Sequence, residues 1–108
     1  MLVKVDKWDS GEHGTLDEAA VRRLFQPNEN YRISRDWFPA GAEFSGASRE
    51  CTCFILAGGC MLRGDGYEIS LTAGAVVHQP EGGYKLKTQA GVEMVRVWLL
   101  PPALRPYQ

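Results

Sequence analysis

The chain has 108 residues, 44% of them hydrophobic, and its 12 basic and 13 acidic side chains give a net charge of -1. This length predicts one compact domain with a thin core, and the balanced charge excludes the basic surface that a nucleic-acid partner would require. No apolar run is long enough to cross a bilayer and Asp6 comes too early for a signal peptide, so we expect a soluble, cytoplasmic protein without a membrane partner.

The first 30 residues are predicted to contain a strand and a short helix. Thr15 and Glu18 have the spacing of a capping box, in which each side chain accepts a hydrogen bond from the other's backbone amide. An apolar stripe at helical spacing follows, and Pro27 ends it. This pattern predicts a helix over residues 16–25.

From Tyr31 onward the hydrophobic pattern is that of β-strands broken by glycine turns, which is typical of a sandwich or barrel. The pair Asp65-Gly66 predicts a tight hairpin with positive φ, and the proline-rich residues 101–108 predict an extended tail. We predict a single all-β domain whose barrel covers residues 31–100. The predicted strands are Tyr31–Phe38, Glu43–Ala47, Cys51–Ala57, Met61–Arg63, Tyr67–Leu71, Val76–Gln79, Tyr84–Gln89 and Val92–Leu100.

The spacing of Gly74, Pro80, Gly82, Lys85 and Gln89 resembles the second sequence motif of the cupin superfamily. The resemblance implies an RmlC-like fold, a double-stranded β-helix or jelly-roll barrel, with the short N-terminal helix in front of it. The first cupin motif is matched less well, because the segment between its opening and closing glycines is too short.

The metal-binding positions that the resemblance implies do not carry the usual ligands. Depending on the alignment, the first motif has Ala47 and Arg49, or Ser45, Ala47 and Cys51, in its ligand places, and Lys85 replaces the histidine of the second. Too few nitrogen, carboxylate or thiolate donors remain for divalent iron, manganese or zinc, and an ammonium group would repel the ion. We therefore expect neither a metal nor another cofactor.

One alternative metal site stays open. Cys51 and Cys53 point to the same face of a strand, so together with His78 they could form an unusual zinc site. The competing interpretation is that both thiols pack as small hydrophobic side chains. The chain has three cysteines, all in apolar sequence, which argues against a disulfide framework.

His78 and Lys85 are the candidate catalytic residues. The imidazole of His78 titrates near neutral pH and suits a general acid or base. A lysine facing the barrel interior could hold a carboxylate, transfer a proton or form a Schiff base. The apolar neighbours Tyr84 and Leu86 have the opposite parity to Lys85, however, which favours a lysine turned to water.

We expect His78 to lie in a pocket for a small organic ligand, although ordinary core filling is the favoured interpretation of the aromatic residues. The candidate substrate-binding residues are Glu43, Arg49, Tyr84, Trp37, Phe54 and Trp98, with Glu81, Phe44 and Met94 beside them.

Three functions stay open, and the residues do not decide whether the protein is an enzyme. The first is a metal-independent isomerase, cyclase or lyase acting on a small organic substrate, the second a non-catalytic ligand-binding or regulatory cupin, and the third a metal enzyme with Cys and His ligands. The thin core and the strands that are apolar on both faces require an additional layer. We therefore also expect a homodimer.

Overall fold

The computed structural model describes residues 3–107 as two antiparallel β-sheets packed face to face, with two short helices near the N-terminus, of which the second packs against one sheet. The predicted all-β jelly-roll architecture is confirmed. The helices are α1 (Ser10–His13) and α2 (Glu18–Leu24). The strands are β1 (Val5–Lys7), β2 (Tyr31–Phe38), β3 (Glu43–Ser48), β4 (Cys51–Gly64), β5 (Tyr67–Thr72), β6 (Ala75–Gln79), β7 (Gly82–Lys87) and β8 (Val92–Leu99).

Strand β4 belongs to both sheets. Its first half lies between β6 and β8 in a sheet of order β1-β6-β4-β8-β2, which we call sheet I. Its second half lies between β5 and β7 in a sheet of order β5-β4-β7-β3, which we call sheet II. The inner faces of the two sheets enclose one shared core.

The prediction of two separate strands, Cys51–Ala57 and Met61–Arg63, was wrong, because β4 runs unbroken through the glycine pair between them. A β-bulge lies between Ile55 and Ala57, and Gly58 has a φ of +72°. Such a bulge and a left-handed residue bend a strand without ending it. The glycines thus form the corner where β4 passes from one sheet to the other.

The predicted hairpin is present between β4 and β5, where Gly64 pairs with Tyr67. Gly66 has a φ of +80°, whereas Asp65 has a negative φ. The turn therefore places its left-handed conformation on the glycine alone.

Helix α2 starts later than the sequence predicted. Its N-cap is Asp17, whose carboxylate accepts the backbone N–H of Ala20 at 2.8 Å. Thr15 lies outside the helix, and Glu18 forms an ion pair with Arg22 at 3.0 Å instead of closing a capping box. Thr15 and Asp17 are both residue types that can cap a helix, and Asp17 is the N-cap in this structure.

The hydrophobic side chains form two layers, one on each face of sheet I. Inside the barrel, side chains from both sheets pack together, including Ile55, Leu62 and Met94. On the outer face, Val21 of α2 packs against Phe54. The N-terminal helix therefore supplies the covering layer that sheet I requires.

The C-terminal segment is not fully extended as predicted, because Pro102–Leu104 form a 3-10 turn. Asn30 and Tyr107 exchange two hydrogen bonds that fasten this segment to the body of the protein. None of the helices within residues 3–107 has the length and hydropathy of a membrane-spanning segment.

Candidate functional site

The centre of the barrel is filled by side chains. Buried residues of both sheets, among them Cys53, Leu62, Leu86 and Met94, leave a space of about 10 Å³. A cavity of this size holds about one water molecule. A ligand must therefore bind outside this packed centre.

A polar cluster borders the packed centre on β2, β7 and β8. Arg96 Nε and Nη2 each lie 2.9 Å from Asp36 Oδ2, and Arg96 Nη1 donates to the Tyr84 hydroxyl oxygen at 3.0 Å. The side chain of Arg96 is only 13% exposed. Burial alone would lower the pKa of Arg96, but Tyr84 and Asp36 leave that pKa raised. The guanidinium is thus charged and held in one orientation.

Trp98 extends this cluster along β8. The guanidinium carbons of Arg32 and Arg96 each lie 5.3 Å from the centroid of the Trp98 ring, within the range of a cation–π contact. The indole Nε1 donates to Ser48 Oγ at 3.0 Å. The ring is therefore fixed both at its edge and by neighbouring cations.

These side chains line an open pocket of about 400 Å³, which we call the mouth pocket. Its volume lies within the range of about 300–1,000 Å³ that is usual for small-molecule sites. Neither Arg32 nor Arg49 forms an ion pair with a carboxylate within residues 3–107. The lining contains three arginines and no acidic side chain, so the pocket is positively charged. Its walls are Arg32, Ala47, Ser48, Arg49, Tyr84, Arg96, Trp98, Leu100, Pro101 and Leu104.

Three other depressions are of similar or greater size. One of about 340 Å³ has Arg63 and Lys85 in its lining, and both of these side chains are exposed. A second of about 370 Å³, which we call the outer groove, lies on the outer face of sheet I and has Glu50 and Glu81 in its lining. Another of about 800 Å³ has Glu43 and Glu68 in its lining. Carboxylates repel anions, and the two cations of the 340 Å³ depression are exposed, whereas Arg96 is buried and held by Asp36 and Tyr84. The mouth pocket is therefore the better site for an anionic ligand.

Three of the predicted binding residues meet at the mouth pocket, namely Tyr84, Trp98 and Arg49. Sequence reasoning missed Arg96 and Asp36, which hold the geometry of the site. A usable signal was present for Arg96, because it has the same strand parity as Met94 and Trp98, and both of these were assigned to the pocket.

The side chains of the two predicted catalytic residues do not face the interior of the barrel. His78 is on the outer face of sheet I, with 51% of its side chain exposed, its Nε2 3.7 Å from Asp6 Oδ2 and its Nδ1 3.4 Å from Thr52 Oγ1. Lys85 is exposed on β7, whereas its neighbours Tyr84 and Leu86 are buried. The strand alternation that favoured a solvated Lys85 thus describes its position. His78 lines the outer groove together with Arg49 and Glu81, on the outside of sheet I and not inside the barrel, and its catalytic role stays a prediction.

Three further predicted binding residues lie elsewhere as well. Trp37 is 67% exposed. Glu43 is exposed and pairs with Lys87 at 3.4 Å. Phe54 is buried under the N-terminal segment, with its ring centroid 5.9 Å from those of Trp8 and Phe25. Strand parity separates Phe54 and Trp37 from the barrel interior, since both belong to the outer face of sheet I.

The remaining residues that were placed in the pocket wall are also dispersed. Met94 lies in the packed core, Phe44 is 42% exposed, and Glu81 lines the outer groove. The predicted pocket combined residues from both faces of a sheet.

The residues inside the barrel do not fit the divalent metal that the resemblance implies. Cys51 and Cys53 face the interior, but His78 has the parity of Thr52 and lies on the opposite face, so these three donors cannot converge. The charged guanidinium of Arg96 borders the same interior and would repel a cation. Within residues 3–107, no three His, Cys, Asp or Glu side chains are grouped as metal ligands would be.

Comparisons with known proteins identify the fold. No protein-family model matches the sequence, and no curated protein matches it significantly. Among solved structures, an RmlC-like cupin from Shewanella frigidimarina is similar with a TM-score of 0.56 and 21% identity, over 68% of this chain and 69% of that one. The cupin domain of Schizosaccharomyces pombe Cnp3 has a TM-score of 0.59 and 16% identity, over 74% and 63% of the two chains.

An enzyme is also among the similar structures. The DMSP lyase DddQ from Ruegeria pomeroyi has a TM-score of 0.58 and 22% identity, over 68% of this chain but only 40% of the lyase. The similar structures thus include an enzyme as well as proteins named only for their fold. The order of strands in two sheets and these structural matches together show that the chain has the fold of the cupin superfamily.

Proposed function

We propose that the protein binds a small organic anion, such as a carboxylate, in the mouth pocket and does so without a divalent metal. The observation that carries the proposal is Arg96, which Asp36 and Tyr84 fix at the base of a pocket that has two further arginines in its wall.

The guanidinium of Arg96 has donors to spare for a ligand. An arginine has five N–H donors in a planar fork, and the contacts with Asp36 and Tyr84 use one on each of its three nitrogens. One donor on Nη1 and one on Nη2 lie outside these contacts. Two such donors match the two oxygens of a carboxylate.

The charge of the pocket supports the same class of ligand. Asp36 balances the charge of Arg96, but Arg32 and Arg49 have no ion pair within residues 3–107. The Leu100 and Leu104 side chains supply an apolar border to the pocket. A small acid with a short apolar part satisfies both features.

The proposal concerns ligand binding. It does not include catalysis by His78 and Lys85, the two catalytic candidates from the sequence. Neither His78 nor Lys85 is part of the mouth pocket wall, since His78 lines the outer groove and Lys85 is exposed on β7. Within the pocket, the hydroxyls of Tyr84 and Ser48 are groups with a transferable proton. An isomerase, cyclase or lyase reaction at this site would therefore have to use one of these two hydroxyls.

Calorimetric titration of chelator-treated protein tests the proposal. The ligands are small mono- and dicarboxylates and inorganic phosphate, and the variants are Arg96→Gln and Arg49→Gln. Loss of a charge-assisted hydrogen bond at Arg96 should weaken binding by about 1.5–3 kcal/mol, or roughly 10- to 150-fold. Loss of the exposed Arg49 should cost less than about 1 kcal/mol.

The matched control is Arg23→Gln, which removes the same charge from the exposed surface of α2. If Arg23→Gln weakens binding as much as Arg96→Gln does, the anion is attracted by net charge and not by the pocket. If no anion binds to the metal-free protein but one binds after a divalent metal is added, the proposal is refuted.

A further inference from the structure

A pair of cysteines lies beneath the mouth pocket, at the start of β4. The Sγ atoms of Cys51 and Cys53 are 3.9 Å apart, and both residues are almost completely buried. Gln79 Oε1 lies 3.7 Å from the first sulfur and 3.4 Å from the second. Gln79 Nε2 has no hydrogen-bond partner within residues 3–107, although Gln79 is only 1% exposed.

The two thiols differ in acidity. A hydrogen bond from Cys53 lowers the pKa of Cys51, against the effect of burial, and Ser48 and the charge of Arg96 lower it further. The pKa of Cys53 is raised, first by the same hydrogen bond and then by burial. Cys51 is thus the thiol that ionises, with Cys53 as its hydrogen-bond donor.

Within the pair, Cys51 is also the more exposed residue, at 4% against 2% for Cys53. Its Sγ is 3.9 Å from the hydroxyl oxygen of Ser48, which lines the mouth pocket. The Cys51 sulfur is therefore in contact with a side chain of the pocket wall. The third cysteine, Cys60, has no sulfur partner among the described contacts, and burial raises its pKa to about 11.

We propose that Cys51 and Cys53 form a dithiol that a hydroperoxide oxidises reversibly to a disulfide within β4. The Cys51 thiolate attacks the O–O bond, which breaks, so that Cys51 becomes a sulfenic acid and an alcohol or water leaves. The sulfur of Cys53 then attacks Cys51 Sγ, the S–O bond breaks, and the hydroxide leaves as water with the proton of Cys53. In sum, two thiols are oxidised to one disulfide while the hydroperoxide is reduced.

Strand geometry makes this disulfide easy to reduce again. Residues i and i+2 of a strand have Cα atoms about 6.6–6.8 Å apart, at the upper end of the range found in disulfides. The bond therefore closes with local strain, and strained disulfides are the labile ones. Cys51 is the first residue of β4, where the adjoining turn at Arg49 and Glu50 can adjust.

The test treats the full, pre-reduced chain with hydrogen peroxide, alkylates the remaining thiols under denaturing conditions, and locates each by mass spectrometry. We expect a Cys51–Cys53 disulfide, a Cys60 that is still alkylated, and reversal by a small thiol. The pKa of Cys51 is lowered by its hydrogen bond with Cys53, whereas burial raises that of Cys60 to about 11. A larger fraction of Cys51 is therefore thiolate at neutral pH, and Cys51 should react faster than Cys60.

Variants assign the two roles. In Cys53→Ser, or in Cys53→Ala if circular dichroism shows the first to be misfolded, a dimedone adduct should form on Cys51. In Cys51→Ser no adduct should form on Cys53, and Cys60→Ser should oxidise like the unmodified protein. The proposal fails if the unmodified protein forms no disulfide between the pair, if Cys60 is oxidised as fast as Cys51, or if Cys53 carries the adduct.

Discussion

Replacing Asp36 by asparagine should change ligand binding and stability in opposite directions. Asp36 Oδ2 accepts hydrogen bonds from Arg96 and also from Ser34 Oγ at 3.0 Å. Asparagine keeps a similar shape but removes the negative charge that balances the guanidinium. The protein should unfold more easily, while the mouth pocket becomes more positive.

The two magnitudes follow from the geometry. Charge-assisted hydrogen bonds contribute about 1.5–3 kcal/mol, but the Asp36 side chain is 29% exposed, so solvent screening reduces the expected loss of stability to about 1–2 kcal/mol. A carboxylate bound across the guanidinium would lie roughly 7 Å from Asp36, where the repulsion is about 2 kcal/mol at an effective dielectric constant near 20. Screening in an open pocket leaves about 1 kcal/mol, or roughly fivefold tighter binding.

Urea denaturation followed by tryptophan fluorescence measures the loss of stability. Calorimetric titration with the best carboxylate measures the gain in binding affinity. Asp65→Asn is the matched control, because it removes the same charge from the exposed hairpin turn. Should Asp36→Asn bind the anion more weakly than the unmodified protein, Arg96 would act only as a structural residue. The binding proposal would then lose its central contact.

Other predictions concern the β4 corner and the thiols. Gly58→Ala should cost about 3–5 kcal/mol, because a Cβ there would collide with the Gly91 carbonyl oxygen in addition to the cost of a positive φ. Gly74→Ala, with a φ of +93° but open space around its Cβ, should cost only about 1–2 kcal/mol in the same denaturation assay, and equal costs would contradict the collision. Alkylation of Cys51 should reach its midpoint at a lower pH than that of Cys60, because the Cys51 pKa is lowered and the Cys60 pKa is raised to about 11. A shared midpoint would contradict the assigned acidities.

The general architecture could be predicted from the sequence because it depends on periodicity. Alternation of apolar and polar residues in β7 correctly separated Tyr84 and Leu86 from Lys85. The Asp65-Gly66 pair likewise marked its turn. Both features depend on neighbours within a few residues, where the local rules are strong.

The position of His78 could not be obtained in the same way. In β6, Val76 and Val77 are both covered, the first by the N-terminal layer and the second by the barrel core. When both faces of a strand are apolar, alternation no longer tells which face is inside. Only the pairing of His78 in β6 with Thr52 in β4 shows that the His78 side chain is on the outer face of sheet I.

Asp36 and Arg96, which fix the geometry of the site, were missed for a related reason. They lie on β2 and β8, which are far apart in the sequence and bring these two residues together only through strand pairing. A single arginine inside an apolar strand gives no local sign of its partner.

The expected homodimer stays a prediction. Trp37 is exposed, and a substitution of this residue would examine whether it lies in a dimer interface.

Strand β4 also determines how the molecule can come apart. It contributes to sheet I with its first half and to sheet II with its second half, so neither sheet is complete without it. Pulling one sheet away removes a central strand from the other, and partial melting of either half is therefore suppressed. The fold behaves as one cooperative unit, and its formation must wait until distant segments have met on both sides of a single ribbon.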